Sequence, residues 1–352
     1  MNHWIRRSGC PSIAVGIAML CSSVVTIVPL LPAAASATDL NQQLGVPLNN
    51  GTLSKTRDQA DRLLQLGKDQ EFDGSLLDAV QSWQQALKLY QSLVDRAGEA
   101  IAYSYLGSAY ARLGQPTAAE DALRRQLAIV RDSQDFQGQI YALNSLGRVL
   151  AQRGGIQSAQ SLFNEALTIA TTINSADGEA LSHDSLGLLA VGLGRRDDAL
   201  EQYTIALAAA RKAGNATREA TTLNNLGDLY RAVGSNRDSM KYYGLAVKLT
   251  DINRDRPNQF RAIDGMVAAL NTLGSYNQSL ELLNQRLRVA QMLENDRQEL
   301  ASLQALGQVY EKVGDYPKAQ QSYQQAIEVA HSLADTQQEG ILRERLVSLT
   351  RR

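Results

Sequence analysis

From about residue 57 to the C-terminus, apolar residues recur at steps of three and four, the spacing of one buried face on a helix. The stripes come in pairs. One pair predicts a first helix from about Glu99 to Leu113, closed by Gly114, and a second from about Pro116 to Arg131. Glycine can take the left-handed conformation that ends a helix, and proline suits a first helical turn. The polar turn "DSQD" then leads into the next pair.

The pairs repeat every 40 residues without an insertion. Leu-Gly stands at 66–67, 106–107, 146–147, 186–187, 226–227 and 306–307, and Met266-Val267 replaces it once. Seven residues after each Gly position comes Gly74, Gly114, Gly154, Gly194, Gly234, Gly274 or Gly314. Then follow a small residue (Ala79, Ala119, Ala159, Ala199, Ser239, Ser279, Ala319) and a large one (Trp83, Leu123, Phe163, Tyr203, Tyr243, Leu283, Tyr323). A last column reads Ala86, Gln126, Ala166, Ala206, Ala246, Arg286, Ala326. A period in this range marks a stacked repeat array. Glycine inside a helix costs about 0.5–1 kcal/mol relative to alanine, so its return predicts a place where the first helix of a pair (A) meets the second (B) too closely for a side chain. The expected organisation is seven 40-residue repeats over 57–337 and a C-terminal capping helix over 338–352, fifteen helices in all.

"LGSAYARLG" (Leu106–Gly114), "LGDLYRAVG" (Leu226–Gly234), "ALEQYTIAL" (Ala199–Leu207) and "AQQSYQQAI" (Ala319–Ile327) resemble the tetratricopeptide repeat family. The resemblance covers about 57–352 and implies an all-α fold, a right-handed superhelical α-solenoid of helix pairs. The usual unit has 34 residues and a proline near its end. Here the unit has 40 and that position holds Gln91, Arg131, Thr171, Arg211, Asp251, Gln291 and His331, which resembles the kinesin light chain type and similar arrays common in cyanobacterial proteins. The sixth unit departs furthest. It lacks Leu-Gly, carries Arg286 in an alanine column, and follows the charged loop "DINRDRPNQ" (Asp251–Gln259).

The first 37 residues read differently. Arg6 and Arg7 precede an uncharged, mostly apolar stretch from Ser8 to Leu31, and Ala35 and Ala37 flank Ser36 as a signal-peptidase site requires. A cleaved signal peptide over 1–37 is expected, with an uncleaved membrane anchor as the rival, since the apolar run is long enough to span a bilayer. The polar stretch 38–56 has turn residues and no helical period, and is expected to be a flexible arm. Export to a periplasmic or extracellular space follows, or to the thylakoid lumen in a cyanobacterium.

The remaining chemistry narrows the function. The chain has 352 residues and a formal net charge of −1, with no basic footprint for nucleic acid. Both cysteines, Cys10 and Cys21, lie in the leader, so the repeats hold no disulfide and no cysteine–zinc site. His183 falls in a core column and His331 at a helix end, with no spacing of a metal site. Neither a phosphate loop nor a nucleophile elbow is present. No enzyme activity, metal or cofactor is expected.

Residues two before and two after each A-helix Leu point away from the core at about 100° per residue. By resemblance they face the concave groove, where Asn144, Arg148, Asp184, Asn224, Asp228 and Asp264, with Arg231 and Asn271 one turn further, would meet a partner. Such side chains hydrogen-bond peptide backbone and pair with charges. The expected partner is a protein or peptide segment, with the membrane involved only through an uncleaved N-terminus. A scaffold or assembly factor for an envelope or photosynthetic-membrane complex is the alternative. The first unit holds Leu64 and Lys68 where chaperone-binding relatives carry a carboxylate clamp, so that specialisation is not expected.

Overall fold

The structure, a computed structural model, describes residues 55–350. The expected signal peptide lies outside them, as does all of the expected arm except Lys55 and Thr56, which already belong to the first helix. The A helices are α1 (Lys55–Phe72), α3 (Arg96–Arg112), α5 (Phe136–Gln152), α7 (Ala176–Gly192), α9 (Ala216–Ala232), α11 (Arg256–Thr272) and α13 (Asp296–Val313). The B helices are α2 (Leu76–Ser92), α4 (Pro116–Asp132), α6 (Ile156–Thr172), α8 (Arg196–Ala213), α10 (Asn236–Asn253), α12 (Tyr276–Met292) and α14 (Tyr316–Ser332). The last helix is α15 (Thr336–Thr350). Among the described residues there are fifteen helices and no strand.

Each A helix begins about three residues before its apolar stripe. Asp95, Asp135, Ser175, Asn215, Asp255 and Asn295 each accept a hydrogen bond from the backbone N–H three residues on. Such an N-cap is worth about 0.5–2 kcal/mol, and it draws the polar turn into the helix start. The glycines of the A–B turns all have positive φ, from 70° at Gly114 to 84° at Gly154. A second left-handed column closes the B helices, with glycine at only one of its seven positions. It reads Val94, Gln134, Asn174, Gly214, Arg254, Glu294 and Ala334.

The three small or large columns of the B helices form the core, and every member is at most 4 % exposed. Each A-helix glycine lies under the large B-helix residue sixteen positions later. A Cβ on Gly67 would stand 2.3 Å from the Trp83 ring; on Gly147, 2.4 Å from Phe163; on Gly227, 2.5 Å from Tyr243. Where the sixth unit has Val267, its partner is the smaller Leu283, and Gly265 two residues earlier lies against Tyr243 of the preceding unit. The recurrent glycine therefore makes room for the large B-helix side chain, a ring in five units and Leu123 in the second.

Consecutive helices pack along the whole array, and A helices also touch the next A helix: α3 with α5, α5 with α7, α7 with α9, α9 with α11. The side on which second neighbours meet is the inside of the curve, so the A helices form the concave wall. At the C-terminal end α15 buries Leu342 and Leu349 against the last pair. It leaves Ile341 and Val347 about half exposed, so the cap is less polar than its charged residues suggest.

Candidate functional site on the inner face of the A helices

The inner wall is held by a ladder of polar contacts between successive A helices. Asn144 on α5 donates to the Ile140 carbonyl at 2.8 Å and to Ser182 Oγ on α7 at 3.2 Å. Asp184 on α7 accepts from Thr222 Oγ1 at 2.8 Å and from Asn225 Nδ2 at 3.3 Å, both on α9. Asn224 on α9 donates to the Asn258 carbonyl on α11 at 3.1 Å. Asp228 accepts from Tyr243 Oη at 2.5 Å and from Arg261 Nη2 on α11 at 2.6 Å. Each rung ties the groove position of one unit to the next unit.

These rungs correct part of the sequence expectation. Asn144, Asp184 and Asn224 were expected to present their side chains to a groove, but they are buried, at 0 %, 4 % and 0 % exposure. The cause is the A–A contact itself, which encloses these three residues between neighbouring A helices. Arg148, Asp228, Arg231 and Asn271 are half-buried on the same wall, and Asp264 is exposed. Asp264 is paired with Arg286, at 2.8 Å from its Nε. The Oδ1 atoms of Asn144, Asn224 and Asn271 are buried and accept no hydrogen bond.

Several residues of the ladder escaped the sequence reading. Asp177 at the start of α7 receives the Arg218 Nε at 2.7 Å, Asn215 Nδ2 at 2.7 Å and the Tyr141 hydroxyl. The Arg218 side chain is 2 % exposed, with its guanidinium 6.0 Å from the Tyr141 ring centre. A signal was present: the column that is Gly98, Gly138 and Gly178 in the second to fourth units turns polar at Arg218, Asn258 and Gln298. Arg286, noted as odd in the sequence, enters the core column and is satisfied there by Asp264, Ser302 Oγ at 2.6 Å and the Gln298 carbonyl at 2.9 Å.

Burial opposes ionisation of Asp177, yet the Arg218 guanidinium and the hydrogen bonds from Arg218, Tyr141 and Asn215 carry its pKa below the ordinary value. Asp184 has no direct cation. Burial pushes its pKa up to about 6, against the pull of Thr222, Arg218, Asn225 and Arg261. His183, expected in the core, is half-buried and its Nδ1 lies 2.8 Å from Gln202 Oε1. Among the described residues no three metal-ligating side chains converge, and no helix is long and apolar enough to cross a membrane.

At its C-terminal end the inner wall carries a hollow of about 580 Å³ between α13 and α15, lined by Gln304, Gln308, Tyr323, Gln338, Ile341 and Arg345 among others. Gln304 donates to Gln338 Oε1 at 2.9 Å, and Arg345 pairs with Glu311 at 2.7 Å. The hollow thus has an amide floor, one apolar wall and a charged rim.

Comparison with known proteins agrees with this architecture. Residues 59–134 and 259–332 match family models described as tetratricopeptide repeat. No curated protein matches the chain. Among solved structures it is similar to the signal transduction ATPase with a tetratricopeptide repeat sensor from Pyrococcus horikoshii, at 16 % identity and a TM-score of 0.51. That match covers 81 % of this chain and 44 % of the other, so this chain spans less than half the length of that protein. It is also similar to a Rap protein complexed with Competence and Sporulation Factor, at 14 % identity and a TM-score of 0.55, covering 90 % and 91 %. The Rap conjugation regulator of plasmid pLS20 in complex with the Phr* peptide matches at 16 % identity and a TM-score of 0.55, covering 85 % and 84 %. Identities this low speak for the fold alone. The two matched segments, at both ends of one unbroken 40-residue period, are similar to tetratricopeptide repeats, and the described residues form an α-solenoid of that kind, built from seven helix pairs and a closing helix.

Proposed function

We propose that the protein is a recognition module that takes an extended protein or peptide segment along the inner face of its A helices. The observation that carries this reading is the hollow between α13 and α15, where Gln304, Gln308 and Gln338 offer donors and acceptors beside the apolar Ile341 and Leu342. Amide side chains match the alternating N–H and C=O groups of a peptide backbone. The half-buried Arg148, Asp228, Arg231 and Asn271 extend the polar lining toward earlier units. Two similar structures are described as complexes, one with Competence and Sporulation Factor and one with the Phr* peptide, which supports the same use of the fold here. Asn144, Asp184 and Asn224 then act as supports that hold the wall rigid, which lowers the ordering cost of binding.

The leader supports export, and N-terminal sequencing of the secreted protein tests it. A start at Thr38 agrees with cleavage; an intact Met1 in the membrane fraction favours the anchored scaffold, whose motivation is the uncharged run Ser8–Leu31. For the groove, the decisive comparison is capture from the envelope fraction with wild type and with Gln304→Ala/Gln308→Ala. Loss of the captured proteins from the variant agrees with recognition in the hollow. Equal capture by both refutes it.

A further inference from the structure

The A–B turn of the first unit lies against the junction of the sixth and seventh units. Asn295 Nδ2 donates to the Phe72 carbonyl at 2.9 Å, across 223 residues of sequence. Phe72 ends α1, so its carbonyl lies among the last four, which have no partner within the helix. Asn295 also begins α13, where its Oδ1 accepts the Gln298 N–H at 3.0 Å. One buried amide therefore serves the ends of two helices from opposite ends of the array.

A second observation is independent of that bond. At Gly114, Gly154, Gly194, Gly234, Gly274 and Gly314, nothing lies within 4 Å of the place a Cβ would occupy. At Gly74, the equivalent residue of the first unit, Arg297 Cδ lies 1.9 Å from it. The Arg297 side chain covers this one turn of seven. A cavity of about 140 Å³ remains beside the contact, with Lys68, Phe72 and Arg112 on one wall and Pro257, Phe260 and Gln298 on the other.

The third observation is the sixth unit itself. Phe260 stands in a column that is alanine in four of the six other units, and Arg286 in the alanine column of the B helices. The Arg286 guanidinium lies 4.8 Å from the Phe260 ring centre and binds Gln298 through both its carbonyl and its side chain. The residues that make this unit irregular are those that hold Phe260 and Gln298 toward the first unit.

We propose that the first unit and the sixth–seventh junction form a latch that closes the solenoid on itself, and that the sixth unit departs from the repeat pattern because it is the seat of that latch. The A helices lie inside the closed turn, so latch opening sets how widely the inner face is exposed. That use in recognition rests on the groove reading above; the latch itself does not.

The test uses the full chain with Cys10→Ser and Cys21→Ser, labelled with a donor and an acceptor at Gln81→Cys and Met292→Cys, without any partner. Asn295→Asp keeps the helix-capping oxygen but loses the donor to Phe72, and Arg297→Ala uncovers Gly74. Wild type is expected to give one narrow energy-transfer distribution. The double variant is expected to shift weight to a longer distance and to exchange the Asp73, Gly74 and Ser75 amides about tenfold faster, as loss of one buried hydrogen bond implies, at unchanged helix content. A broad distribution in wild type overturns the latch whatever the variants do. So does a helical double variant with the wild-type distribution and exchange. Failure of Gln304→Ala/Gln308→Ala to affect capture would leave this result untouched, so the two ideas fail separately.

Discussion

The pairing of each A-helix glycine with a large B-helix side chain predicts a strong coupling at Gly147 and Phe163, which carries no polar atom to complicate the result. A Cβ on Gly147 would lie 2.4 Å from Phe163 Cε1 and 2.8 Å from Cδ1. Ordinary carbon contacts begin near 3.5 Å, so the ring must retreat by about 1 Å. Overpacking of that kind costs about 1–3 kcal/mol. Gly147→Val recovers only about 0.5 kcal/mol of helix propensity. Phe163→Leu alone opens space in a fully packed site and costs about 1–2 kcal/mol. The double variant recreates the Val267–Leu283 arrangement that the sixth unit already uses. Its destabilisation is therefore expected to fall below the sum of the single costs by at least about 1 kcal/mol. The assay is urea unfolding followed by circular dichroism, paired with amide exchange of α5 and α6, because repeat arrays unfold in parts. Additivity within about 0.5 kcal/mol would refute the claim that these two columns form one steric unit.

Asp184, with its pKa raised from 3.8 to about 6 by burial, makes stability depend on pH in a defined direction. An acid that holds its proton more tightly when folded contributes fully below about pH 4 and loses that contribution as pH rises to 6, about 3 kcal/mol in all. Asp184→Asn is expected to remove this loss, so it should gain on wild type between pH 4 and 7 in parallel melts; a constant difference across that range contradicts the assignment. Arg218→Ala strands the Asp177 carboxylate and is expected to cost about 2–4 kcal/mol, read as a lowered urea midpoint; Asp177→Asn in the same chain should return part of it. Val94 is β-branched, 74 % exposed and held at φ 55°. Val94→Asn is expected to raise stability by about 1 kcal/mol, and an unchanged or lowered melting temperature would show that the turn bears no strain.

The 40-residue period, the helix pairs, the buried columns and the closing glycines were all legible in the sequence, because each is enforced by contacts inside a unit or with its neighbour. Leu226, Gly227 and Tyr243 repeat since every unit solves the same packing problem. The lining of the groove was only half legible. Whether Asn224 faces solvent or the next A helix depends on the spacing of the A helices, which no single unit encodes. Arg286 reads as an irregularity until Asp264 stands beside it across the helix pair, and Arg218 gains its meaning only from Asp177 on the neighbouring A helix. The contact between Phe72 and Asn295 lies further still beyond sequence reasoning. It depends on small rotations between units that add up over the whole turn, and only the tertiary structure sums them.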